Sequence, residues 1–426
     1  MTYLLEDLHH FLSHSPTSWH AVEEMGNRFA SLDFTPLDLG EKWELKKGGK
    51  YFLIHEGSLM AFLLPDDKPE KMALAAAHTD SPALKLKPQP EIHTHNMIRL
   101  GVEIYGGPIL PTWFNRDLGI AGRVIVEQEK GKLEEHLVFF DESPVMIPLI
   151  APHLDREIYK EGLKLDKQKH LVALASLQSD EVNTPYLETL LRQHLRFKTL
   201  HDFDLFLVPL DPPRFMGCTS EMLASYRIDN LVSSHAAIVA LGNLKKPSKH
   251  LLSMGVFWDH EEVGSTTHTG AVSPYFQDAF ERICHLYKLT QEEESILRRR
   301  SLCLSVDMCQ AFNPNFEEKY DPQHRSQMGG GIAIKYNAQM RYNTSAAGGA
   351  IVSKICRDLK LNFQKFVNRT DNPSGSTIGP LFASRMGIDV VDIGIAQLSM
   401  HATREIISTQ DYLDLCKVLT HFLENG

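Results

Sequence analysis

Cysteine is scarce, six residues in 426, and no two are spaced as CxxC. Four of the six, Cys284, Cys303, Cys356 and Cys416, lie in apolar runs, where a reduced and buried thiol is expected. That usage predicts a cytoplasmic chain without structural disulfides. No stretch approaches 18 uninterrupted apolar residues, so no membrane-spanning helix is expected. The first residues, MTYLLEDLHHFLSHSP, mix acids and histidines with apolar positions. They lack the basic start and apolar centre of a signal peptide and read as an amphipathic helix. Positive charge is short: 44 Lys and Arg against 54 Asp and Glu give a formal charge of −10. With no basic run to offset it, that balance argues against nucleic acid or an anionic membrane as partner. Low-complexity tracts and internal repeats are missing as well.

What is present is the pattern of an α/β protein with a second domain inserted. Up to residue 81 the chain reads as two helices and then short apolar strands, the last of which (MALAAA, 72–77) runs directly into His78. Residues 82–225 differ. Stretches such as IRLGVEIYGG and AGRVIVEQEKGKLEEHLVFF alternate and are broken by Gly, Pro and Lys-Gly turns, a hairpin-rich pattern with one helix-like run, TPYLETLLRQHLRF. From 226 to 426 helices alternate with apolar strands, which predicts a sheet covered by helices on both faces.

The candidate chemistry lies in five short motifs, AAHTDS, YRIDNL, WDHEEVGS, SVDMCQ and LSMHATRE. His78, Glu261, Glu262 and Asp307 fall at or just past the C-terminal ends of predicted strands, the edge at which open α/β sheets bind ligands. Each signal has a bland counterpart. His78 and Asp80 could form a hydrogen-bonded turn, Asp229 a helix cap, Glu261 and Glu262 a solvated pair, and His401 a core or surface histidine. Asp307 interrupts an apolar strand and needs a buried partner, either a metal or an arginine. In combination the residues supply a two-metal hydrolase. His78, Asp307 and one oxygen of Asp229 would hold one ion, and Glu262, His401 and the other oxygen of Asp229 the second. Carboxylates with two imidazoles suit zinc, or manganese or cobalt in its place. Glu261 would deprotonate the metal-bound water, and Asp80 would orient the His78 ring.

These motifs, in this order, resemble the aspartyl aminopeptidase family of co-catalytic zinc exopeptidases. The likeness runs from SPTSWHAV (15–22) to VDIGIAQLSMHATREI and includes PHLDREIYKEG and IKYNAQMRYNTSA. It implies a metallopeptidase domain with a mostly parallel central sheet flanked by helices (1–81 and 226–426) and an inserted β-rich dimerisation domain (82–225). It further implies release of single N-terminal residues, Asp or Glu preferred, and assembly through dimers into a dodecamer. Metal ligands would be His78, Asp229, Glu262, Asp307 and His401, with Glu261 as base and Asp80 orienting the first histidine. His153 would reach a neighbouring copy's site, and Lys335 would lie near substrate. The chain departs from the family where Asp-x-Ala-His-Ala-x-His-Pro-Asn becomes DMCQAFNPN, so Gln310 and Asn313 replace two histidines. Neutral side chains cannot hold a positive charge against an acidic residue. A broad-specificity metalloaminopeptidase is therefore the alternative. A non-catalytic assembly protein on the same scaffold, and a two-metal deacylase or carboxypeptidase, are the other readings the chemistry admits.

Overall fold

The computed structural model describes residues 2–177 and 185–426. They divide into two compact units: one formed by the chain up to Ser81 with Pro213–Met400 and Glu405–Gly426, the other by Pro82–Pro212 with His401–Arg404.

In the first unit a nine-stranded sheet runs in the order Thr35–Leu37, Lys50–His55, Ser58–Leu63, Leu251–Trp258, Lys71–His78, Leu302–Val306, Asp389–Gly394, Ile332–Lys335, Phe363–Phe366. Its centre is parallel: Leu251–Trp258, Lys71–His78, Leu302–Val306 and Asp389–Gly394 all run the same way. Ser58–Leu63 and Ile332–Lys335 flank that centre antiparallel. Parallel strands need both faces covered, and the side-chain alternation supplies two cores. Ala73, Ala75 and Ala77 face one core with Phe11 and Phe29 of the N-terminal helices, Leu231 of Ile228–Asn243 and Tyr412 of Thr409–Asn425. Met72, Leu74 and Ala76 face the other, with Phe276 and Phe280 of Tyr275–Leu286 and Phe382 of Ile378–Met386. The alanines on the first face let the helix Ile228–Asn243 lie close to the strand that carries His78. The N-terminal segment is the helix Thr2–Ser13, as its pattern indicated. A smaller five-stranded sheet carries Met222–Ser225 beside Glu405–Ser408. That pairing holds 213–225 in the first unit, so the division falls at Pro212 and not at 225.

The second unit is a six-stranded antiparallel sheet, in the order Leu133–Val145, Leu118–Glu127, Thr199–Pro209, Ala83–Thr94, Met97–Tyr105, Val172–Leu177. The helix-like run there is the helix Tyr186–His194; its expected start at Thr184 lies outside the described residues. All six cysteines are unbonded, and all but Cys218 are buried. No helix among the described residues is long and apolar enough to cross a membrane.

Candidate metal centre

The register of the parallel strands builds the site. Trp258 pairs with His78, and Ser305 with Ala76, so three neighbouring strands end at one level. His78 is the last residue of its strand, Asp307 follows Val306, and the Leu251–Trp258 strand runs through Asp259 and His260 into a short 3-10 turn, Glu261–Val263. That turn is closed by Gly264 at φ 96°, a conformation glycine adopts without steric cost. Asp229 comes from the side, at the start of Ile228–Asn243, with φ −79° and ψ 105°.

His78 is buried at the centre. Its Nε2 lies 3.3 Å from Asp229 Oδ1 and 3.7 Å from Asp307 Oδ1. Its Nδ1 faces Asp80, 3.3 Å from Oδ1 and 3.1 Å from the backbone carbonyl. The two oxygens of Asp80 each accept a backbone N–H, from Glu261 and from Glu262, both at 3.1 Å. One buried carboxylate thus sets both the imidazole and the turn that carries the Glu pair. Asp307 pairs through Oδ2 with Lys335 Nζ at 3.4 Å. Lys335 is itself 1% exposed, so it meets the demand for a buried partner that was expected of a metal or an arginine.

Donor atoms of His78, Asp229 and Glu262 all lie within 4.8 Å of one another. Their electrostatics are those of a cation site. Burial raises the Glu262 carboxyl well above its ordinary range, and the neighbouring Asp229 and Glu261 raise it further. Burial likewise lifts Glu261 to about 8, opposed by His78 and reinforced by Asp307, Asp80 and Asp229. Burial would lower His78, yet its contacts with Asp229, Asp307 and Asp80 hold the imidazole well above its usual value. Burial would raise Asp307, but Lys335 and His78 outweigh it and hold that carboxyl low. Crowded carboxylates around one buried imidazole carry more negative charge than a largely enclosed site holds unless protons or a divalent cation neutralise it. The donor set of one imidazole and two carboxylates fits zinc.

The model of the family described as Aminopeptidase I zinc metalloprotease (M18) matches residues 11–423. The chain belongs to that family. A probable M18 family aminopeptidase 2 of Streptomyces avermitilis is 37% identical over 425 residues, covering 98% of this chain and 97% of its own. The chain in the cryo-EM structure of the Ape4 and Nbr1 complex superposes with a TM-score of 0.95 at 32% identity, covering 100% of this chain and 86% of that one. The S. cerevesiae mApe1 dodecamer gives 0.86 at 26% identity, covering 100% and 98%. The protein is a metalloaminopeptidase of mixed α/β fold.

The remaining sequence candidates belong to the second unit. His401 lies in its 401–404 segment at φ 69°, with Nδ1 3.1 Å from the Gly107 carbonyl oxygen. His153 is exposed in a turn of that unit. Two features of the first unit escaped the sequence reading. Arg227 Nη2 donates to the Thr79 carbonyl at 2.5 Å, holding the turn after His78. Glu405, 2% exposed, accepts the Asp229 N–H at 3.0 Å. The available signal for Glu405 was a carboxylate opening an apolar strand, EIIS.

Proposed function

We propose that the chain is a two-metal aminopeptidase that removes the N-terminal residue of peptides, with Asp or Glu preferred. The observation that carries this reading is the meeting of His78, Asp229 and Glu262 donors at the carboxyl ends of the central strands. In this reading the residues that would ligate metal are His78, Asp229, Glu262, Asp307 and His401. A divalent ion held there would supply Lewis-acid activation of water. Glu261 takes the proton of the attacking water and delivers it to the leaving amine. Asp80 keeps the His78 ring and the Glu261 backbone in register, and Lys335 offsets the Asp307 charge and borders the substrate. The exposed His153 touches substrate held by a neighbouring copy, the inserted unit pairs copies of the chain, and assembly proceeds to a dodecamer. The dodecamer of a relative at 26% identity supports that last step. The buried unbonded thiols support a cytoplasmic location.

One observation favours a second reading, a broad-specificity enzyme with the same chemistry. Gln310 and Asn313 stand where the resemblance to aspartyl aminopeptidases implies histidine, and neither can carry a positive charge. Chelator-stripped protein supplied with Zn²⁺, Mn²⁺ or Co²⁺ and assayed on Asp-, Glu- and Leu-amides separates the two. Faster Asp and Glu release supports the acidic preference, and faster Leu release supports broad specificity. Full turnover with no divalent ion overturns the metal chemistry itself.

A further inference from the structure

We propose that Glu405 is a positioning residue of the metal centre: by holding the Asp229 N–H it fixes the main chain from which the Asp229 carboxylate reaches its ions. The inference rests on the two-metal reading and adds to it the group that sets its shared ligand.

The local geometry gives the reason. Asp229 sits at the start of a helix but has non-helical backbone angles, and Asn230 after it does too. N–H groups at a helix start have no acceptor within the helix, and Asp229 is 3% exposed, so water does not serve it freely. Its N–H is taken by Glu405 Oε2 at 3.0 Å. Its carbonyl oxygen is taken by Ser81 Oγ at 2.5 Å. The next side chain, Asn230, donates Nδ2 to the Val306 carbonyl at 2.8 Å, beside Asp307. The Asp229 main chain is therefore gripped on both sides, and its side chain is left to face His78.

Of these grips Glu405 is the charged one, and a charge there is costly. A carboxylate almost free of solvent is unfavourable unless its hydrogen bonds compensate. A helix cap alone would need only a serine or asparagine. A charged acceptor gives a stronger hydrogen bond to the N–H than a neutral one. Its strand, Glu405–Ser408, pairs with Met222–Ser225, Glu405 opposite Ser225, so the carboxylate is delivered from a rigid sheet to the turn that ends in Asp229. A ligand that must serve two ions through its two oxygens tolerates little rotation, and partners behind a ligand typically change metal affinity by roughly tenfold to a hundredfold.

The test uses the full-length chain with Glu405→Gln, Glu405→Met and Asp229→Asn, each stripped and titrated with zinc against a competing chelator. The visible spectrum after Co²⁺ loading is recorded alongside. Glu405→Gln keeps an oxygen that can accept the N–H but loses the charge, and is expected to load zinc less tightly than the parent but more tightly than Glu405→Met, with a cobalt spectrum close to the parent's. Glu405→Met is expected to need roughly tenfold to a hundredfold more free zinc, with a changed cobalt spectrum and a metal-free melting temperature close to that of Glu405→Gln. If Glu405→Met does not fold, Glu405→Asp, too short to reach the N–H, is read in its place. Parent-like zinc loading by Glu405→Met, or equal losses in the Met and Gln variants, overturns the proposal. If Asp229→Asn loses zinc while Glu405→Met does not, only the role of Glu405 fails. If Asp229→Asn also loads normally, the two-metal reading fails with it.

Discussion

Lys335→Met isolates the charge balance of the site. The ammonium is 1% exposed and lies 3.4 Å from Asp307 Oδ2, with its Nζ 5.4 Å from the centre of the Tyr342 ring. Methionine fills nearly the same space without charge. Removing one partner of a buried ion pair costs roughly 3–5 kcal/mol, because the other charge is left behind. Asp307 keeps 16% side-chain exposure, so water meets part of that charge and the lower end, about 3 kcal/mol, applies to the metal-free protein. If Asp307 is a metal ligand, a bound ion neutralises the stranded carboxylate, and the loss with zinc should shrink to about 1 kcal/mol. The difference of about 2 kcal/mol must reappear as zinc affinity, since coupling is reciprocal. The variant should therefore bind zinc roughly thirtyfold more tightly than the parent. Urea unfolding of stripped and zinc-loaded protein, with a chelator-competition titration, measures both quantities. An equal penalty with and without zinc, together with unchanged zinc affinity, would refute the assignment of Asp307 to the metal.

Glu261→Gln should lower kcat by roughly a hundredfold to ten-thousandfold while zinc content and KM change little, because the amide keeps the shape and loses the base; steady-state kinetics with metal analysis checks this. Asp7 gives a pH prediction remote from the site. Its hydrogen bond from His235 at 3.0 Å, with Arg28 at 2.7 Å, holds its carboxyl at about 2 against the opposing effect of burial. A lowered carboxyl stabilises the fold above its unfolded value near 4 and ceases to do so as pH falls through 2. Asp7→Asn should thus cost about 2 kcal/mol near neutrality, a cost that falls away as pH drops through 2, read from unfolding midpoints across that range. Phe382→Ala, which empties a fully buried ring position against Phe276 and Trp258, should cost roughly 3–5 kcal/mol in urea unfolding.

Much of this was legible in the chain because it follows from local chemistry. LLSMGVFW and MALAAA are apolar throughout, as central parallel strands must be, and the acids and histidine come where those runs stop. The alternation within 82–225 likewise pointed to hairpins and partly antiparallel pairing. What local pattern does not carry is pairing between distant segments. Met222–Ser225 belongs with Glu405–Ser408, which no feature near residue 222 reveals, and the domain boundary moved accordingly. Lys335 was expected beside substrate; that its buried ammonium also pairs with Asp307 is a long-range contact no local pattern carries. Side-chain bonds to backbone donors are equally silent: Asp80 was recognised for the His78 ring, but its hold on two N–H groups of the Glu turn exists only in three dimensions.

The central claim is that divalent ions at this cluster carry the reaction. Stripped protein should be titrated with zinc while aminoacyl-amide hydrolysis and bound metal per chain are measured in the same samples. The account predicts no turnover without metal, and activity that rises to its plateau as two ions per chain are bound. Full turnover in protein shown to hold no divalent ion would contradict it.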